Sequence, residues 1–242
     1  MRWRRRDGEP GAGADFGSDA GVAVDGVSKV IGPATLLEPT SLVIEPGRAV
    51  VIRGRNGIGK TTLLRILAGT LAPTTGTVRI DGRIADERDP VIRSRVAALI
   101  GVPATYRDLT LRDHLVLLDA TWGGAADSCD DRVAQALGEL GIGDLAQRFP
   151  HELSSGQTQL FRLGMVLFRP GDLLILDEPE QRLDSRRRDV ITQILAERRD
   201  AGTTVVLASH DPELTTALGD AVHDLGWDEG AGAVGAAAGP TQ

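Results

Sequence analysis

The 242-residue chain has little aromatic character (3% Phe, Trp and Tyr), one cysteine and few lysines. With Cys129 alone, an intrachain disulfide is excluded, and such cysteine usage fits a reducing compartment. No stretch approaches the roughly 18 apolar residues of a membrane-spanning helix. Net charge is -7 and the pI is near 5.2, which argues against the broad positive footprint that nucleic acid or an anionic membrane surface requires. The opening MRWRRRDGEPGAGADFGSDA has arginines but no apolar segment after them, so no secretory signal is expected. It reads as a disordered tail over 1–20, and the Gly/Ala-rich end reads as another over 229–242. The remainder, 21–228, is long enough for one domain with a subdomain. A cytoplasmic location is the expectation.

What is present alternates. VAVDGV (22–27) and RAVVIRG (48–54) read as strands, and GTVRIDGR (76–83) as a hairpin turning at Asp81-Gly82. Residues 60–69 have helical spacing and stop at Gly69. Thr110 and Asp113 form a capping-box pattern opening a helix through Leu118. Further helices are expected at 131–140 and 157–168. LLIL (173–176) and TTVVLAS (203–209) are the continuous runs of strands buried on both faces of a parallel sheet. SRRRDVITQILAERRD (185–200) between them reads as a crossover helix. The class is α/β, with 103–153 expected to form a helical lobe.

GRNGIGKTT (54–62) fits G-x-x-x-x-G-K-[ST] at every fixed position, between an expected strand and an expected helix. Gly54, Arg55, Asn56, Gly57, Ile58 and Gly59 would turn backbone N–H groups toward phosphate oxygens. Lys60 would reach the outer phosphates, and the Thr61 hydroxyl, beside Thr62, would ligate magnesium. Lys29 and Lys60 are the only lysines, so a chain otherwise using arginine keeps a compact ammonium at this point. LLILDEP (173–179) brings Asp177 and Glu178 to a strand end. Strand alternation turns the two carboxylates different ways: Asp177 toward magnesium, Glu178 toward an attacking water as general base. His210 follows another strand, in reach of a γ-phosphate. In HELSSGQTQL (151–160), Ser154 or Ser155 could simply cap the next helix, but that leaves Gly156 unexplained.

Together and in this order, the motifs resemble an ATP-binding-cassette (ABC) ATPase domain over roughly residues 22–227. GRNGIGKTT is similar to the family's phosphate loop, LSSGQ to its signature, LLILDEP to its magnesium strand with the catalytic glutamate, EQRLD (180–184) to its dimer-contact loop with Asp184 at the matching position, and His210 to its switch histidine. The resemblance implies a phosphate-loop core with a mostly parallel sheet, an antiparallel β subdomain and an inserted helical subdomain. It implies ATP and Mg2+ as ligands and head-to-tail pairing with a second copy or a homologous cassette. Ser154, Ser155, Gly156 and Gln157 would then meet the partner's nucleotide, with Gly156 leaving bare backbone N–H groups there. It also implies a separate transmembrane permease at the inner face of the cell membrane, with no membrane insertion and no nucleic acid partner of this chain's own.

The pattern is broken at two points. Gly101 or Val102 stands where the family carries a glutamine; the first glutamine of the chain is Gln135. Val30 and Ile31 stand where an adenine-stacking aromatic is usual, and none occurs between Phe16 and Tyr106. Ser155 replaces a commoner glycine. Three functions remain open at this point: the energy-supplying subunit of a transporter, a soluble cassette ATPase in another role, and a nucleotide-gated clamp with little hydrolysis.

Overall fold

The computed structural model describes residues 21–226, so the expected tails at 1–20 and 229–242 lie outside the described residues. Nine strands form within them: β1 (Val22–Ile31), β2 (Ala34–Ile44), β3 (Ala49–Arg53), β4 (Thr75–Ile80), β5 (Arg83–Ile84), β6 (Val96–Leu99), β7 (Leu173–Asp177), β8 (Thr204–Ala208) and β9 (Ala221–Asp224). Interleaved helices are α1 (Lys60–Leu67), α2 (Pro90–Arg95), α3 (Leu111–Thr121), α4 (Cys129–Glu139), α5 (Ser155–Leu167), α6 (Ser185–Asp200) and α7 (Pro212–Leu218). One sheet is antiparallel in the order β2-β1-β4-β5; the other is parallel in the order β6-β7-β8-β3-β9.

The apolar runs of β3, β7 and β8 become inner strands because both of their faces are covered. Side chains alternate between the faces. Val50, Ile52, Leu173, Ile175 and Val206 pack with α1 and with Val22, Val24 and Ile44 of the antiparallel sheet. Val51, Leu174, Leu176, Val205 and Leu207 pack with Leu111, Leu115, Phe161 and Ile191 on the opposite face. Leu111 and Leu115 of α3 and Val133 and Leu137 of α4 therefore share one apolar cluster with the sheet, and the helical segment has no core of its own.

Local signals set the element ends. Gly69 N–H donates to Ile66 O and Thr70 N–H to Arg65 O, the paired bonds that close a helix C-terminus. Asp81 and Gly82 both have positive φ, as a two-residue hairpin turn demands. The Thr110–Asp113 capping box is present, though α3 runs on to Thr121. Five elements were not expected from the sequence: β2, α2, β6, α7 and β9. β2 contains Pro39 and is mostly exposed, which an edge strand tolerates because its outer N–H groups need no partner.

Candidate functional site

β3 delivers the chain into residues 54–59, and α1 begins at Lys60. Gly59 has φ 111°, and a Cβ there would sit 2.5 Å from the Leu36 carbonyl oxygen. Only glycine lets β2 lie against the loop at this position. Lys60 is 7% exposed and folds back across the loop. Its Nζ donates to Gly54 O at 2.8 Å and to Arg55 O at 3.3 Å, and lies 3.0 Å from His210 Nε2. Ile58 N–H closes the turn onto Arg55 O. Asn56, Gly57, Gly59, Lys60, Thr61 and Thr62 line a cleft of about 310 Å³ with Leu36 and Glu178.

β7 carries the carboxylates to the same cleft. Asp177 pairs in register with Ala208 of β8, and its Oδ2 accepts from Thr61 Oγ1 at 2.7 Å. Glu178 diverges from Asp177 for a different reason than strand alternation. The strand ends at Asp177, and Glu178 takes φ 49°, in the left-handed region, while its N–H donates to Ala208 O at 2.9 Å. Its Oε1 is 3.8 Å from His210 Nε2, and its Oε2 accepts from Gln181 Nε2 at 2.9 Å. His210 Nε2 is also 3.2 Å from Asn56 Oδ1. The neighbouring Asp211 caps α7 through Glu213 N–H and Leu214 N–H and meets Arg188 Nη1 at 2.8 Å. Burial works against its charge, but the Arg188 guanidinium and those two N–H groups outweigh it and hold the carboxyl below the usual carboxylate range.

Phosphate loop, Asp177, Glu178 and His210 are thus assembled in one place. Residues 154–157 and Asp184 are not part of that cluster; among the described residues no hydrogen bond joins 154–157 to the loop. Ser154 caps α5: its Oγ accepts from Gln157 N–H, and Gln157 Oε1 accepts from Ser154 N–H. Ser154 and Ser155 are exposed, but Gly156 is buried, which corrects the expectation of open backbone there. A Cβ on Gly156 would lie 3.1 Å from Arg182 O and 3.1 Å from an Arg187 guanidinium nitrogen. Packing within the chain therefore accounts for that glycine. Asp184 is exposed, caps α6 through Arg187 N–H and pairs with the Arg187 guanidinium at 3.4 Å.

The two positions that break the motif pattern both lie at or just after strand ends. Val30 and Ile31 are 40% and 57% exposed at the end of β1. Gly101, with φ 74°, follows β6, whose Leu99 is level with Leu176 one residue short of Asp177. Two further residues touch the site and were not singled out in the sequence. Gln181 bonds the Glu178 carboxylate, and the buried Gln159 of α5 donates to Pro179 O at 3.1 Å and, more weakly, Glu178 O at 3.5 Å. Helical periodicity marks Gln159 as inward-facing, the one signal that could have found it. Among the described residues no group of three or more His, Cys, Asp or Glu could hold a metal by itself.

A glycine-rich loop between a central parallel strand and a helix, facing a carboxylate at the end of a neighbouring strand, defines a phosphate-loop nucleotide-binding fold. The solved structure of an ATP-binding subunit of an ABC transporter superposes with TM-score 0.75 at 25% identity, covering 84% of this chain and 85% of that one. A dimeric ATP-binding cassette in a post-hydrolysis state with ADP and Pi superposes with TM-score 0.76 at 25% identity, covering 84% and 94%. The family model described as ABC transporter matches residues 37–181. The chain belongs to the ABC transporter family.

Among curated relatives, the Fe(3+) ions import ATP-binding protein FbpC of Brucella melitensis is 33% identical over 207 residues, 83% of this chain and 57% of that protein. The aliphatic sulfonates import ATP-binding protein SsuB 1 of Burkholderia lata is 34% identical over 221 residues, 90% and 63%. The Nod factor export ATP-binding protein I of Paraburkholderia xenovorans is 32% identical over 192 residues, 79% and 63%. The chain spans 57% to 63% of the length of these relatives.

Proposed function

We propose that the chain binds and hydrolyses ATP as the energy-supplying subunit of a transporter. It closes head to tail with a second cassette over two nucleotides and drives a separate transmembrane subunit. One observation carries the reading: His210 Nε2 stands 3.0 Å from Lys60 Nζ and 3.8 Å from Glu178 Oε1. A phosphate-reaching ammonium and a water-activating carboxylate thereby meet through one imidazole at the mouth of the phosphate loop.

Lys60 exchanges the Gly54 and Arg55 carbonyls for phosphate oxygens when nucleotide enters. The Thr61 hydroxyl and Asp177 carboxylate, two hard oxygen donors 2.7 Å apart, fit magnesium, which takes few protein ligands and completes its shell with phosphate oxygens and water. That ion would offset charge on the phosphates. Glu178 accepts a proton from the attacking water as its oxygen joins the γ-phosphorus and the bond to ADP breaks, giving ADP and Pi. His210 holds the outer phosphate and the water in line. Exposed Ser154, with its oxygen lone pair on Gln157 N–H and its proton free, donates to the nucleotide of the opposite cassette. Asp184 meets that cassette at the dimer seam.

Names of relatives include both importers and exporters, so direction and cargo lie with the transmembrane partner. No helix among the described residues is long and apolar enough to cross a membrane. Val102, Tyr106 and Leu117, exposed on the connector before α3 and on α3 itself, suit a docking partner. The bare Gly101 favours a second reading, a clamp that closes on ATP and scarcely turns over. Glu178→Gln separates the two. On the first reading it abolishes the parent's turnover, preserves ATP binding and accumulates an ATP-bound dimer on size-exclusion chromatography. A variant that hydrolyses ATP like the parent refutes the base assignment, and a parent without turnover leaves the clamp.

A further inference from the structure

We propose that α5, whose first turn serves the opposite cassette, also aims the catalytic carboxylate of its own chain, with Gln159 as the positioning residue. The inference rests on the function proposed above and adds a role for this helix that the composite site does not require.

The segment 178–182 is awkward backbone. Glu178 and Arg182 both take left-handed conformations, at φ 49° and φ 67°. For residues other than glycine such conformations persist only when their surroundings hold them. α5 holds this segment at two points. From beneath, the Gln159 amide, 8% exposed, donates to Pro179 O at 3.1 Å and reaches Glu178 O at 3.5 Å. At the helix start, Gly156 lies so close to Arg182 O that a Cβ would have only 3.1 Å. Between these grips, Gln181 turns its amide onto Glu178 Oε2 at 2.9 Å, which leaves Oε1 on the side of His210. The carboxylate therefore inherits its direction from a turn clamped by α5.

The hydrogen bonds of the Gln159 side chain go only to backbone carbonyls of the turn. Its loss should disturb where Glu178 points while leaving the Ser154 and Ser155 surface presented to the opposite nucleotide. Replacing the amide with an apolar side chain of similar volume leaves a buried carbonyl without its donor, and the turn relaxes toward ordinary φ values.

The test uses the full chain. Gln159→Met is expected to lower kcat for ATP hydrolysis about tenfold, equivalent to about 1.4 kcal/mol of barrier, with ATP Kd within twofold of the parent. In the Glu178→Gln background, adding Gln159→Met should leave the ATP-bound dimer intact at the same ATP concentration, because the surface offered to the second cassette is unchanged. A kcat within twofold of the parent overturns the proposal. So does a loss of turnover accompanied by loss of the ATP-bound dimer, since that assigns Gln159 to the contact across the seam. If Gln159→Met does not fold, Gln159→Asn keeps the amide but withdraws it by about 1.5 Å, with a several-fold fall in kcat and unchanged Kd expected. Should the parent itself show no turnover, or Glu178→Gln retain it, the reading of the site fails first and is identified as the cause.

Discussion

Gly156→Ala separates two explanations of the signature glycine. If the position faces open space, a methyl inside the first turn of α5 should stabilise the helix by about 0.5–1 kcal/mol, the usual difference between alanine and glycine. The structure opposes that gain. The new Cβ would lie 3.1 Å from Arg182 O and 3.1 Å from the Arg187 guanidinium, where comfortable contact begins at about 3.5 Å. Arg187 can swing away, since its partner Asp184 is exposed and 3.4 Å distant. The Arg182 carbonyl cannot yield so easily, because it belongs to backbone at φ 67° beside a buried Leu183. Crowding of this kind costs about 1–3 kcal/mol, which outweighs the helical gain. The variant should be about 0–2 kcal/mol less stable than the parent by urea unfolding, with slower turnover as the displaced carbonyl shifts Gln181 and Glu178. A clear stabilisation with full ATPase activity would refute the packing argument.

Two other measurements bear on the site. Ile31→Tyr places an aromatic at the exposed end of β1; stacking of about 1–3 kcal/mol per base predicts several-fold or greater tightening of ATP binding by fluorescence titration, and unchanged affinity would mean the base does not lie there. Asp211→Ala removes the α7 cap and the acceptor for Arg188, with an expected loss of about 1–2 kcal/mol at neutral pH. The native Asp211 pKa is depressed, so its contribution is present above the unfolded value near ~4 and is lost as pH falls through the folded value. Parent and variant stabilities should therefore converge on acidification, and a gap that stays constant or widens would contradict the assignment.

Motif chemistry was legible because it is local. The phosphate loop needs consecutive residues, the helix caps need a span of three, and the buried strands announce themselves as unbroken apolar runs. What escaped depended on neighbours distant in the chain. β2 hid behind Pro39 because its tolerance for proline comes from its place at the sheet edge. β6 hid because four residues leading out of α2 show no period. The divergence of Asp177 and Glu178 was read from strand alternation, yet it arises from a left-handed turn after the strand ends.

Gly156 shows how a matching motif can be read with the wrong local reason. A glycine beside a serine cap invites the thought of exposed N–H groups, and Ser154 and Ser155 are indeed exposed. The glycine itself is spent inward, on Arg182 of its own chain. One turn of α5 thus presents a hydroxyl to the outside and a bare Cα to the segment that orients Glu178. On the head-to-tail pairing proposed above, a displacement of that turn by a nucleotide engaging Ser154 would reach the Glu178 carboxylate through Arg182 and Gln181 without crossing the phosphate loop.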